Sequence, residues 1–254
     1  MITRSSSRFH WSDLAGQAAL ALSYAVITKI VLDFYSANGV VSIVWPPSGL
    51  ALAALILGGR KYWPGVFVGA FAGNLMAGNP LAVSFFIAVG NTLEALAALG
   101  LLTRKGDFDA GLTHTRCFLK LLLAGVASSC VSAVVGTTTL SLAGLLTSQT
   151  ILINLLHWWQ GDVLGIMLVT PLILVWRQAP QRDWFSRERV LEVSLFLLLN
   201  FFFGQIIFLG WFPGALGLIA QTHWMFLFVT WAAVRFGRHG VLLMLCMTAV
   251  QALS

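Results

Sequence analysis

Charge is what this sequence has least of. Lys, Arg, Asp and Glu together make up 9% of its 254 residues, against roughly 25% in an ordinary soluble domain. A chain that is 58% hydrophobic cannot cover a water-exposed surface with so few ionic groups, which excludes a soluble globule. Cysteine is scarce as well. Cys117, Cys130 and Cys246 stand isolated in or beside apolar segments, so their spacing spells out neither a disulfide framework nor a thiolate metal site. They read as small apolar helix residues. Long polar loops are missing: the largest, about 103–116 and 177–189, are too short to hold a soluble domain. The alternation that marks the strands of a membrane barrel is missing too. There is no zinc-finger spacing, basic–aromatic patch, phosphate loop or nucleophile–base pair, and no convincing internal repeat. Nucleic-acid binding and the common catalytic classes are therefore not expected, nor is a metal or a cofactor.

What remains is a succession of long apolar runs. A run of about 20 residues crosses the hydrocarbon core as a helix, and lipid tolerates no unpaired backbone, so such runs must be helical. Nine spans are expected, at about 14–35, 42–58, 63–78, 81–102, 117–146, 151–176, 190–210, 215–234 and 239–254. The fold class is all-α: a polytopic transmembrane helical bundle forming one integral membrane domain over residues 1–254. The first run lacks a small-residue cleavage site and carries Lys29 and Asp33, so it reads as a retained span rather than a signal peptide. Gly210–Gly217, with Trp211 and Pro213, reads as a kink or an outer turn.

The net charge of +6 serves orientation. Arg4 and Arg8, then Arg60 and Lys61, then Arg104, Lys105 and Arg116 with Lys120, then Arg177, Arg182, Arg187 and Arg189, then Arg235 and Arg238 all fall on one side if the N-terminus is cytoplasmic. The loops near 36–41, 79–80, 147–150 and 211–214 carry no Lys or Arg. This is the positive-inside pattern of a multi-pass membrane protein. Nine spans from an inside start finish outside, so a tenth span and a cytoplasmic output domain are expected to follow Ser254.

Polar groups inside spans are costly and mark sites or partners. Lys29 and Asp33 are four apart on one helix face and pair with each other, unless Lys29 snorkels outward. Gly90, Asn91 and Glu94 share one side of a helix, suited either to a hydrogen bond with a neighbour or to a ligand or ion. In His157-Trp158-Trp159-Gln160-Gly161-Asp162, Trp158 and Asp162 share a face. An aromatic platform beside a carboxylate suits an amine, a sugar or a cation, while the structural alternative is an interfacial tryptophan pair. Trp45-Pro46-Pro47-Ser48-Gly49 opens the second span, where proline is tolerated, and either starts a helix or lines a cavity. Asn74 is placed to hydrogen-bond across helices. Trp45, Asn74, Asn91, Glu94, Trp158, Gln160 and Asp162 are thus the candidate ligand-binding residues, and Lys29, Asp33, Pro46 and Pro47 the structural ones. Gly125, Ser128, Ser129, Ser132, Ala133 and Gly136 read as a close-packing strip.

Taken in order, Trp45-Pro46-Pro47-Ser48-Gly49-Leu50-Ala51-Leu52-Ala53, Gly59-Arg60, Trp63-Pro64-Gly65, Asn74, Gly90-Asn91-Thr92-Leu93-Glu94-Ala95 and Gly161-Asp162 with Gly165 and Pro171 resemble the first type of the MASE (membrane-associated sensor) domains. The resemblance covers nearly the whole chain. It implies a sensory input module at the N-terminus of bacterial histidine kinases, diguanylate cyclases and related proteins, with the output domain in the cytoplasm and no catalysis in the module itself. It also implies a homodimer through the full-length protein, a small-molecule or membrane-borne ligand that it does not identify and, in some members, a transporter-like membrane partner in sugar-phosphate sensing. Two alternatives stand beside it. A secondary transporter or channel for a small polar solute also uses intramembrane carboxylates and broken helices. An intramembrane enzyme would need a catalytic constellation that is not visible.

Overall fold

The computed structural model of the protein describes residues 11–37, 41–178, 186–211 and 222–253. In order, they form α1 (Trp11–Phe34), β1 (Ser36–Ala37), β2 (Val41–Ser42), α2 (Pro46–Gly58), a 3-10 turn (Arg60–Tyr62), α3 (Trp63–Met76), α4 (Leu81–Thr103), α5 (Thr115–Leu142), α6 (Ile151–Trp176), α7 (Arg187–Phe208), a 3-10 turn (Thr222–Trp224) and α8 (Met225–Leu253). The helical architecture expected from the sequence is present. Its one departure is the antiparallel pair β1–β2, with Ser36 opposite Ser42 and Ala37 opposite Val41.

Among the described residues, six helices are long and apolar enough to cross a membrane: α1, α4, α5, α6, α7 and α8. The expected count of nine differs for two reasons. α2 and α3 have 13 and 14 residues. At 1.5 Å per residue each is about 20 Å long, short of a hydrocarbon core about 30 Å thick. Pro46-Pro47 start α2 and Gly59, at φ 83°, ends it; Pro64 lies in the first turn of α3. Of the last two expected spans, residues 225–234 and 239–253 form the two parts of α8, which breaks at Gly237 (φ 59°, ψ −155°), while residues 215–221 lie outside the described residues. Of the expected turn at Gly210–Gly217, Gly210 (φ 64°) and Trp211 follow the end of α7, while Pro213 lies outside the described residues.

The chain forms two compact units, Met1–Pro171 and Leu172–Ser254. In the first unit, α1 and α3 run parallel. A Cβ on Gly65 would meet Gln17, on Gly69 Ala21 and Tyr24, and on Gly73 Ala25 and Thr28. Three glycines at intervals of four thus lay one face of α3 directly against α1, the close approach that small residues permit inside membranes. α4 packs antiparallel on α5, with Gly90 against Val135. α6 returns along α5, with Gly125 against Ile166 and Gly136 against Trp158. Lys61 Nζ reaches Asp13 Oδ1 at 2.7 Å and ties the α2–α3 turn to the first turn of α1. In the α4–α5 loop, the Asp109 carboxylate accepts from the backbone N–H groups of Gly111 (2.9 Å) and Thr113 (3.1 Å) and from the Thr113 hydroxyl (2.6 Å). These donors, the Thr113 hydroxyl first, hold its pKa down to about 2.

The second unit has its own core, in which Phe196 of α7 packs with Met225, Phe228, Ala232, Phe236 and Met244 of α8. At one end of it, Arg235 holds Glu192 with Nε at 2.5 Å and Nη2 at 2.9 Å, and Arg189 adds a contact at 3.0 Å. Trp176 lies edge-on to His239, with ring centroids 5.3 Å apart.

Candidate functional site

The site begins with a crossing of backbones. The segment before α2 lies across α6 where α6 has Gly161 and Gly165. Trp45 N–H donates to the Gly161 carbonyl at 2.9 Å. A Cβ on Gly161 would run into the Ser42 carbonyl oxygen, one on Gly165 into the Trp45 carbonyl oxygen, and one on Gly49 into the Gly165 carbonyl oxygen. No side chain larger than hydrogen fits at these three points. The Thr170 hydroxyl completes the joint by donating to the Gly49 carbonyl at 3.0 Å. Pro46 and Pro47, in the first turn of α2, lack backbone N–H groups that would otherwise need partners there.

This crossing drives Ser48 into the bundle between two carboxyl groups. Its Oγ lies 2.8 Å from Glu94 Oε2 on α4 and 3.0 Å from Asp162 Oδ1 on α6. α5 closes the cluster. Ser129 Oγ donates to Glu94 Oε1 at 2.8 Å. Ser132 Oγ lies 2.7 Å from Asp162 Oδ2 and 3.1 Å from Asn91 Oδ1, and it accepts from the Trp158 indole N–H at 2.9 Å. Glu94 is 1% exposed and Asp162 0%. Among the described residues, none of the ion pairs reaches either of them. Four helices therefore converge on two buried carboxyls whose surroundings are hydroxyls, an amide and an indole, the partners that polar groups need when water is excluded.

Beside Asp162 is a cavity of about 20 Å3 lined by Leu32, Ser42, Trp45, Asn74, Ile87, Trp158 and Asp162. That is room for about one water molecule. A broader apolar groove, lined by Trp63, Phe67, Val89, Thr92, Leu93 and Leu96, offers no comparable polar group.

The structure brings six of the seven candidate ligand-binding residues to this region. Trp45, Asn74, Trp158 and Asp162 line the cavity, and Asn91 and Glu94 belong to the hydroxyl network next to it. Gln160 is exposed: two residues before Asp162, it points away from the face that Trp158 and Asp162 share. Asn74 bonds within its own neighbourhood rather than across helices, donating to Ala70 O at 2.9 Å and accepting from Asn79 Nδ2 at 3.3 Å. Lys29 and Asp33 pair with each other at 2.5 Å, both more than a third exposed, and take no part in the cluster.

Three serines and a tyrosine enter the site that no sequence pattern assigned to it. Ser48 was legible only as part of a helix start. Ser129 and Ser132 fall on the strip read as packing, and the strip does pack; its hydroxyls also hold the carboxyls. Tyr24 of α1 is wholly buried and has Trp45, Asn91, Glu94 and Asp162 as neighbours. The one sequence signal for it was a phenol in the middle of an apolar run. Among the described residues, no group of three or more His, Cys, Asp and Glu side chains could hold a metal ion.

The family model MASE1 matches residues 17–254. No curated protein and no solved structure gives a significant match to the chain.

Proposed function

The chain belongs to the MASE1 family of membrane-associated sensor domains, and on that footing we propose that it is a signal-input module of the bacterial inner membrane whose stimulus acts at the Ser48–Glu94–Asp162 cluster. The stimulus arrives from the periplasm or from the bilayer. It alters how α2, α4, α5 and α6 pack around the cluster, and the last helices pass the change to a cytoplasmic kinase or diguanylate cyclase domain, working as a dimer. The module itself is not catalytic.

The observation that carries this reading is the position of the cluster. Two carboxyl groups with no cationic partner among the described residues sit where four helices meet, held by short hydrogen bonds from serine hydroxyls. A change in their charge or hydration must be felt by all four helices, because every contact is buried. The cytoplasmic N-terminus belongs to the same proposal. It is supported by the cation-rich turns: Lys61 lies beside the start of α1, and Arg189 and Arg235 meet on Glu192.

The test is mutational, in the full-length protein. Asp162→Asn and Glu94→Gln keep the shape and remove the charge. Each is expected to shift stimulus-dependent output by roughly 5-fold or more, the lower end of an allosteric coupling, with the amount inserted in the membrane unchanged. Normal output from both variants would sink the reading, and loss of insertion would assign the cluster to folding alone.

A further inference from the structure

A count of protons at the cluster gives its ligand a chemistry; this step rests on the sensory reading above and deepens it. Five oxygen–oxygen approaches lie within hydrogen-bond range: Ser48 to Glu94 (2.8 Å) and to Asp162 (3.0 Å), Ser129 to Glu94 (2.8 Å), and Ser132 to Asp162 (2.7 Å) and to Asn91 (3.1 Å). Three serine hydroxyls supply one proton each. Ser129 uses its proton on Glu94. Ser132 already accepts from Trp158 and has one proton for two oxygens. Turning the Asn91 amide so that its NH2 faces Ser132 removes the shortfall at that point. Nothing removes it at Ser48, whose single proton lies between two carboxyl groups. One carboxyl must donate to the Ser48 oxygen while Ser48 donates to the other.

Electrostatics requires the same thing. Two bare carboxylates joined through one hydroxyl, with no cation beside them among the described residues, repel each other and are stripped of water. Paired carboxyls answer this by keeping one proton between them. The titratable groups facing the pair are few. α1 contributes Tyr24, α4 Glu94 and α6 Asp162, while α2 and α5 contribute only the serine hydroxyls. The Tyr24 hydroxyl also faces the pair: it is fully buried and neighbours both carboxyls. The water-sized cavity beside Asp162 is where a water molecule reaches the pair.

We propose that Glu94 and Asp162 share one exchangeable proton across Ser48, and that the ligand of this module is the proton, delivered by a single water in the cavity beside Asp162. In the binding step, a hydronium ion in the cavity transfers its proton to a carboxylate oxygen and remains as water. The charge of the pair goes from −2 to −1. Loss of the proton reverses this and breaks the donor chain at Ser48, which unlinks α2 from α4 or from α6.

The test is infrared spectroscopy of the purified chain in lipid nanodiscs, titrated from acid to alkaline pH in H2O and D2O. A protonated carboxyl carbonyl band is expected to persist above the ordinary carboxylate range of about 4. It should shift in D2O and bleach on further alkalisation. Asp162→Asn and Glu94→Gln should each displace the titration of the band, since each removes one of the two carboxyls that share the proton; a titration unchanged in both overturns the proposal. Tyr24→Phe should keep the band and displace its titration. If either charge variant fails to fold, the wild-type titration decides alone: a folded protein whose band is already lost within the ordinary carboxylate range of about 4 overturns the proposal. Bleaching by added Na+ at constant pH also overturns it, because a metal cation would then be the ligand. The two readings fail separately. A titrating band in a module whose Asp162→Asn variant signals normally leaves the proton site and removes the sensory role. Altered signalling without a band does the reverse.

Discussion

At the scale of single residues, the cluster depends on positions where a methyl group cannot be placed. Gly165 is the tightest of them, since a Cβ there would strike the Trp45 carbonyl oxygen and force apart the backbones that position Ser48. Gly165→Ala should lower stability by about 1–3 kcal/mol or more, the usual cost of overpacking a close contact. Gly100, in the interior of α4, has nothing within 4 Å of the point where a methyl group would sit. Gly100→Ala should leave stability within about 1 kcal/mol, on the favourable side, because alanine loses less freedom in a helix. Melting temperatures of the two variants in the same detergent check the pair, and equal values would contradict the crossing. Glu94 and Asp162 were legible in the sequence because charge inside a span is conspicuous. Ser48, Ser129 and Ser132 were not, because a serine in a membrane helix looks the same whether it packs or binds. Only its neighbour decides, and the neighbours lie 30 to 46 residues away in sequence for Ser132–Asp162 and Ser48–Glu94.

At the scale of elements, two backbone features make separate predictions. Gly237 breaks α8 with φ 59° and ψ −155°, a conformation open essentially to glycine alone. Gly237→Ala should cost about 1–3 kcal/mol, read as a drop in melting temperature, while the hydrogen bonds of Arg235 to Glu192 show whether the break itself is lost. The α4–α5 loop turns on Asp109, whose carboxylate is held at a pKa of about 2 against about 3.9 in an unfolded chain. A lowered carboxylate pKa stabilises the loop above the unfolded value. That contribution is lost as pH falls through the folded value. The amides of Gly111 and Thr113 should therefore stay protected from exchange at mildly acid pH and lose protection as pH approaches about 2. Asp109→Ala should remove this dependence. The regular glycines of α3 were present in the sequence at four-residue spacing, and they explain why a helix of 14 residues is held so firmly: its face fits α1 without side chains in between.

At the scale of the whole molecule, the proposed orientation in the membrane can be read by labelling from each side. With the native cysteines replaced, Lys105→Cys in the α4–α5 loop should react with an impermeant thiol reagent only from the cytoplasmic side. Ser148→Cys, before α6, should react only from the periplasmic side. The opposite pattern would invert the proposed direction of signalling, because the cavity beside Asp162 would then open toward the cytoplasm.

The sequence by itself determined that this is a helical, multi-pass membrane protein, and its ordered motifs determined the family resemblance. Both follow from properties that add along a chain: hydropathy over a window, and residues at set spacings. Against nine expected spans, six helices among the described residues are long enough to cross a membrane, because proline and glycine bound α2 and α3 at 13 and 14 residues and the last two spans meet in α8. Only the tertiary structure decided which polar residues share a site. It left Gln160 outside, brought in Ser48, Ser129, Ser132 and Tyr24, and set one hydroxyl between two carboxyls. The reason is geometric: the crossing of the Trp45–Gly49 segment over Gly161 and Gly165 joins parts of the chain more than a hundred residues apart, and no local pattern encodes which backbones will meet.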